Sequence, residues 1–482
     1  MCEMCSILHH VEICVREEKR LISLLIRGFG FTIIGQRLTP LALKWVLKHG
    51  SAIFVITKRQ KDCKLQDKST DDLHVNPHHE KECVHSNGDT TDPEHWTVFC
   101  CQDQTSHAID SVFNAALEVK DVDEVTRRVK ERGGHVLREP TNINDSHGQV
   151  RYSIVTSCLG NVVHTLIDKK NYSGEFLPGF RILGTNNCES SLVNSKSENG
   201  CHTKEFVSNP CDIRSYLEES TRNGEVLEET ATQVGGPVFT HVDHIACVCE
   251  VGKSKELMAW YEYCFGMKRF MTNREESEEE GLVLGEEIGM RLKAMEYWRC
   301  AEVGLAVPSA TLEDSELKMV IAEPLSGFEN SQINTFLNAH KGPGIQHIAL
   351  HTPSMAPTVK YVSQQGVVFR KAPPTYYQKG VKLEEITATG HEVELDLFQE
   401  LGILLDTEDD IFSDMKDGQG KQRYLMQVFT TPIFQEDTFF MEVIQRCGAR
   451  GFGVGNISAL ARSIILYQQQ QQQNKLRSPS TT

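Results

Sequence analysis

Two histidines and a glutamate stand where a chain seldom places polar side chains. Glu442 lies in Phe439-Phe440-Met441-Glu442-Val443-Ile444, His244 in Val242-Asp243-His244-Ile245-Ala246-Cys247-Val248, and His347 in Ile345-Gln346-His347-Ile348-Ala349-Leu350. Each run reads as a buried strand, and a carboxylate buried there needs a cationic partner. Two imidazoles and one carboxylate, spread over three strands, are the ligand set expected of a non-haem Fe(II) oxygenase. Strand alternation supports the grouping. His347 shares a face with Ile345 and Ala349, Glu442 with Phe440 and Ile444, and Gln427 with Leu425 and Phe429. Any one of these would pass for a satisfied core group; three at equivalent places in a repeated module read as a site.

Three protein ligands leave three coordination positions open. A 2-oxo acid can chelate two of them through its carboxylate and keto oxygen, which leaves one for O₂. Two neutral imidazoles and one carboxylate give an Fe(II) centre a net charge of about +1, which suits an anionic chelator. Phe429, Phe440 and Phe452 offer ring surface for an aromatic acid, while Gln332, Gln427 and Asn456 offer hydrogen bonds.

The elements that must position these residues repeat within the chain. Ala116-Leu117-Glu118-Val119 through Pro140 aligns with Ala349-Leu350-His351-Thr352 through Pro373, pairing Val129 with Val362 and Gly133 with Gly366. Each copy reads strand, amphipathic helix with Val125/Val129 or Val359/Val362 inward, glycine, strand. His10-Val11-Glu12-Ile13-Cys14-Val15 likewise matches His244 to Cys249. Four such modules, grouped two and two, predict an α+β fold. The N-terminal half keeps His10 but has Asn114 where His347 would fall, with His164 the candidate replacement for the glutamate. That half reads as a structural copy without iron, suited to packing or self-association, so a homodimer is an expectation.

The predicted organisation is an N-terminal domain over 6–183 with a polar insertion at 58–96, then a polar linker over 184–238. The C-terminal domain follows as 239–398 and 399–466, its last helix closing the pocket, and then a disordered Gln-rich tail over 467–482. The insertion's His74, His78, His79 and His85 read as a solvated loop. Gly451-x-Gly453-x-Gly455 lacks the βαβ context that dinucleotide binding needs.

Composition narrows the classes. A chain of 482 residues exceeds one ordinary core, and a net charge of −16 argues against a nucleic-acid partner. No run of about 18 apolar residues exists to span a bilayer. Sixteen cysteines without a regular framework suggest reduced thiols, with Cys158, Cys247, Cys249 and Cys264 as small core residues. Cys2-x-x-Cys5 has no second pair nearby. The basic tract 16–37 could act as a mitochondrial address, although Glu3, Glu12, Glu17 and Glu18 count against one.

At the densest of these motifs the chain resembles the 4-hydroxyphenylpyruvate dioxygenase family, within the vicinal-oxygen-chelate fold. The motifs are Gly342-Pro-Gly-Ile-Gln-His347-Ile-Ala-Leu, Pro373-Pro-Thr-Tyr376-Tyr377, Tyr424-Leu-Met-Gln427-Val-Phe429-Thr, and Phe439-Phe-Met-Glu442-Val-Ile-Gln-Arg-x4-Gly-Phe452-Gly-x-Gly-Asn456. The resemblance implies four βαβββ modules paired into two half-barrels, with His244, His347 and Glu442 as iron ligands. It also implies Gln332, Gln427, Phe429, Phe440, Phe452, Asn456 and Ile457 as substrate positions. Ala322 replaces the asparagine, and Ile457 the phenylalanine, of homogentisate-forming members. With these departures the chain resembles another branch of the family, and that resemblance implies a mitochondrial, 4-hydroxymandelate-forming enzyme on the way to the coenzyme Q head group. Homogentisate formation and a non-catalytic binding protein are the alternatives.

Overall fold

The computed structural model describes residues 6–39, 42–59, 109–183, 236–271, 276–285, 288–297, 318–329, 331–408 and 422–477. Cys2, Cys5, the four insertion histidines and residues 184–235 of the linker lie outside them.

Apolar alternation makes strands, and the helical faces foreseen from the valines return the chain across them. β1 (Ser6–Val15), α1 (Glu18–Ser23), β2 (Thr32–Leu38), β3 (Ala42–His49) and β4 (Ala52–Arg59) form one βαβββ module. β5 (Ser111–Val119), α2 (Val122–Glu131), β6 (Val136–Asp145), β7 (Gly148–Thr156) and β8 (Val163–Tyr172) form the second, and β9 (Arg181–Ile182) adds an edge beside β2. In the C-terminal half the third module comprises β10 (Val242–Val248), α3 (Ser254–Phe265), β11 (Lys268–Phe270), β12 (Leu282–Leu284), β13 (Met290–Glu296) and β14 (Lys318–Pro324). α4 (Gln332–His340) leads to β15 (Gly344–His351), α5 (Met355–Gln364), α6 (Leu383–Ala388), α7 (Leu395–Leu401), β16 (Leu404–Glu408), β17 (Arg423–Phe429) and β18 (Phe440–Cys447). The last helix is α8 (Val454–Arg477).

Each half is one nine-stranded mixed sheet curled into a half-barrel. The central antiparallel pairs, β1·β5 and β10·β15, carry register shifts at matching places: Leu8/His10 with Val242/His244, and Glu12/Ile13 with Ala246/Cys247. The repeat therefore extends to the bulges. Asp121 caps α2, accepting from the Glu124 N–H at 3.0 Å, and Val125, Val129, Val359 and Val362 are buried as expected. One apolar core runs through both halves, from Val11, Leu25 and Phe29 to Phe265, Val359 and Ala459.

The basic tract 16–37 is built into the first module, with Leu21, Leu25, Phe29 and Phe31 buried. Three expectations need correction. Cys158 is exposed in the turn after β7. The strand expected after Gly366 is reduced to a single bridge between Phe369 and Thr430, because the chain then meets Pro373-Pro374. α8 continues through the six glutamines to Arg477, where no regular structure was foreseen; glutamine is a good helix former extending an established helix. No helix among the described residues is long and apolar enough to cross a membrane.

Candidate metal centre

Strand register brings the three ligands together. On adjacent strands, His244 of β10 faces Ala349 of β15, and Ala349 in turn pairs with Glu442 of β18; His347 lies two residues back along β15. All three side chains project into the barrel of the C-terminal half. The Glu442 Oε2 stands 3.3 Å from His244 Nε2 and 3.4 Å from His347 Nε2, and one ligand atom from each residue lies within 4.8 Å of the others. Three donors bonded at right angles to one ion at about 2.1 Å stand about 3 Å apart, so the spacing fits a single metal on one face.

Their supports differ. His244 donates from Nδ1 to Asp243 Oδ1 at 2.7 Å, which directs its Nε2 lone pair into the site. Asp243 is itself clamped by Arg446, whose Nε and Nη2 reach its two oxygens at 2.6 and 2.7 Å. Arg446 Nη1 also donates to the carbonyls of Ala449 and Gly451, tying the clamp to the loop that carries Phe452. His347 is held by ring packing instead, stacked on Phe440 at 4.7 Å with Phe429 edge-on at 6.2 Å. The cation foreseen for Glu442 is thus a pair of imidazoles, and the arginine serves Asp243. Both supporting residues were missed in the sequence, although an aspartate beside His244 in an apolar strand was a usable signal.

Burial pushes the His347 imidazole down, Glu442 only partly opposing it, so a neutral ligand nitrogen is available at neutral pH. Burial would push the Glu442 carboxyl up, but the attraction and hydrogen bonds of the two histidines outweigh it and hold it below its ordinary value. His244 is raised, because Glu442 and Asp243 outweigh the effect of its burial. The centre favours positive charge.

The remaining candidates divide. Phe452 sits edge-on over His244 at 4.8 Å and packs with Ala246, Ala294 and Val320. Gln427 Nε2 points at Glu442 Oε1 across 3.4 Å, its Oε1 accepts from Asn456 Nδ2 at 2.9 Å, and Tyr376 donates to Asn456 Oδ1 at 2.7 Å. Asn456 lies within the first turn of α8. Ile457 packs with Ala322, Val248, Ile333 and Val454 in a neighbouring apolar cluster that shares Leu292 with the Phe452 group. Gln332 is exposed, because the periodicity of α4 turns Ile333, Phe336 and His340 inward instead. The glycines of 451–455 serve close packing: Gly453 has φ +70°, and a Cβ there would lie 1.4 Å from Gln427 Oε1. A cleft of about 1460 Å³ lies away from this centre, bordered by Arg16, Arg20, Arg27, Lys58 and Phe434.

No family model matches the chain. Among curated relatives, the 4-hydroxyphenylpyruvate dioxygenase-like proteins of Rattus norvegicus and Homo sapiens are each 32% identical over 364 residues, 74% of this chain and 78% of theirs. The chain belongs to the 4-hydroxyphenylpyruvate dioxygenase family. The 4-hydroxyphenylpyruvate dioxygenase of Neurospora crassa is 27% identical over 393 residues, 81% of this chain and 77% of that one. A mutant of 4-hydroxymandelate synthase from Streptomyces coelicolor superposes with a TM-score of 0.57 at 20% identity, covering 96% of this chain and 98% of its own, which shows a shared fold. For a member of the 4-hydroxyphenylpyruvate dioxygenase family, which is non-haem iron dependent, the His244–His347–Glu442 set is a fitting donor triplet.

The same registers locate its counterpart in the N-terminal half. Asn114 of β5 faces Glu12 of β1 and pairs with Val163 of β8, as His347 faces Ala246 and pairs with Phe440. Glu442 therefore corresponds to Thr165. His164, the expected counterpart, points to the other face, where its Nδ1 bonds the Ala115 carbonyl at 2.8 Å and its Nε2 meets Tyr261 Oη at 2.9 Å. It packs the two halves together.

Proposed function

We propose that this chain is an Fe(II)-dependent dioxygenase converting 4-hydroxyphenylpyruvate and O₂ to 4-hydroxymandelate and CO₂. The observation that carries the reading is the convergence of His244, His347 and Glu442 beside three phenylalanine rings. Iron held there supplies activation of O₂ coupled to decarboxylation of a chelating 2-oxo acid. The side chains do the rest. Phe429, Phe440 and Phe452 wall the site with apolar surface that excludes water and receives an aromatic ring. Gln427 and Asn456 present amide groups at the Glu442 side, already ordered by Tyr376.

Product choice rests on ring position, since attack at the ring and at the benzylic carbon differ by about an ångström of placement. Ala322 and Ile457 leave one wall without an amide and without an aromatic ring, which lets the substrate turn its CH₂ toward the oxidant. The relatives named 4-hydroxyphenylpyruvate dioxygenase favour the second reading, homogentisate formation on the same centre. An intact triplet weighs against a non-catalytic binding role. A mitochondrial setting and supply of the coenzyme Q head group belong to the same proposal and rest on the resemblance. Mass spectrometry of the product from iron-loaded protein tests it. 4-Hydroxymandelate is expected; homogentisate alone overturns the product, and no turnover with iron bound overturns the enzyme.

A further inference from the structure

The internal repeat allows the two barrels to be compared position by position. By strand register, Ala246, Leu292 and Ala322 of the C-terminal half correspond to Glu12, Lys44 and Thr57 of the N-terminal half. Three apolar residues beside the metal ligands have thus been exchanged for a carboxylate, an ammonium and a hydroxyl. The exchange is concerted. Lys44 Nζ and Thr57 Oγ1 each lie 2.5 Å from Glu12 Oε1, and Asn114 Nδ2 donates to Glu12 Oε2 at 3.2 Å and to Thr165 Oγ1 at 2.9 Å. The side chains of Lys44 and Glu12 are only 4% and 6% exposed, so the pair is desolvated.

We infer that the chamber of the N-terminal half is a cation site which the chain occupies with its own ammonium, Lys44. A carboxylate buried in an apolar barrel demands a positive charge, and truncating one partner of such a pair leaves the other uncompensated. In the C-terminal half the demand of Glu442 is met by two imidazoles placed where they could share a metal with it; in the N-terminal half that of Glu12 is met by a covalently tethered cation. The surroundings match an occupied chamber. Phe176 covers it, its ring 5.2 Å from His10 and 4.8 Å from Phe180, and the residual cavity is about 20 Å³, room for one water. Burial, with the charge of Lys44, pushes the His10 imidazole down to about 3.

Removing the ammonium should let a divalent ion take its place, with Glu12 as the indispensable ligand. The inference does not depend on the reaction proposed above, and its readout is metal count. Full-length protein is titrated with Co(II), and bound metal and visible absorption are measured. Lys44→Ala is expected to bind one equivalent more than the unaltered chain, and the double variant Glu12→Gln/Lys44→Ala to lose that equivalent. Should the unaltered chain bind none, the centre at Glu442 fails while the increment still tests Lys44. A folded Lys44→Ala chain with no added equivalent overturns the inference. So does a Lys44→Ala chain that stays unfolded with and without Co(II); folding only when Co(II) is present supports it.

Discussion

At the scale of single residues, the two histidine ligands are held by different means, and mutations should separate them. Asp243→Asn keeps the shape but weakens the acceptor that fixes His244, so metal affinity should fall by about 10–100-fold with the fold intact. Titration with Fe(II) or Co(II) checks this, and unchanged affinity would remove Asp243 from the account. Ile457→Phe restores an aromatic wall, and the share of homogentisate in the product should rise; an unaltered ratio by mass spectrometry would detach position 457 from product choice. The triplet itself was legible in the sequence because each member interrupts an apolar strand. Asp243 and Arg446 were not, because a bidentate clamp between β10 and β18 depends on side-chain directions that spacing does not encode. Gln332 shows the converse failure: its type suited a pocket, but one position along a helix turns a side chain by about 100°.

At the scale of elements, the loop between β18 and α8 packs closely on Gln427 beside the metal centre. Gly453→Ala would drive a Cβ into Gln427 at a backbone conformation that disfavours side chains, so the loop or Gln427 must shift. Turnover should drop at least about 10-fold, with a thermal midpoint lower by a few degrees; wild-type kinetics would show that the close approach is dispensable. The distal end of α8 is another matter. Gln468 to Gln473 are exposed, so a chain ending at Tyr467 should keep its metal affinity and thermal midpoint, as titration and calorimetry can verify. Helices α2 and α5 were legible through their valine spacing. The exchange of His164 for Thr165 was not, since a one-residue slip in register reverses the face of a strand.

At the scale of the molecule, the histidines buried around the N-terminal half couple folding to pH. Burial, aided by His10, pushes His9 well below its ordinary value of 6.5, while His10 falls to about 3 and His164 to about 4. Between those values and 6.5 the unfolded chain takes up protons that the folded chain refuses, so stability declines as pH falls through that window. The thermal midpoint should decrease steadily below pH 6.5; constancy from pH 7 to pH 5 would contradict the burial of neutral imidazoles. Where the halves meet, Tyr261 bonds both His164 and, at 3.0 Å, Ser157 Oγ, so Tyr261→Phe should cost about 1–3 kcal/mol by denaturant titration. The pairing of modules was foreseeable from the repeat, whereas the apolar layer common to both halves depends on how the sheets dock. That layer implies that peptide continuity between the halves is dispensable for their cohesion. The two fragments, synthesised separately, should find each other and reconstitute a working catalyst by complementation.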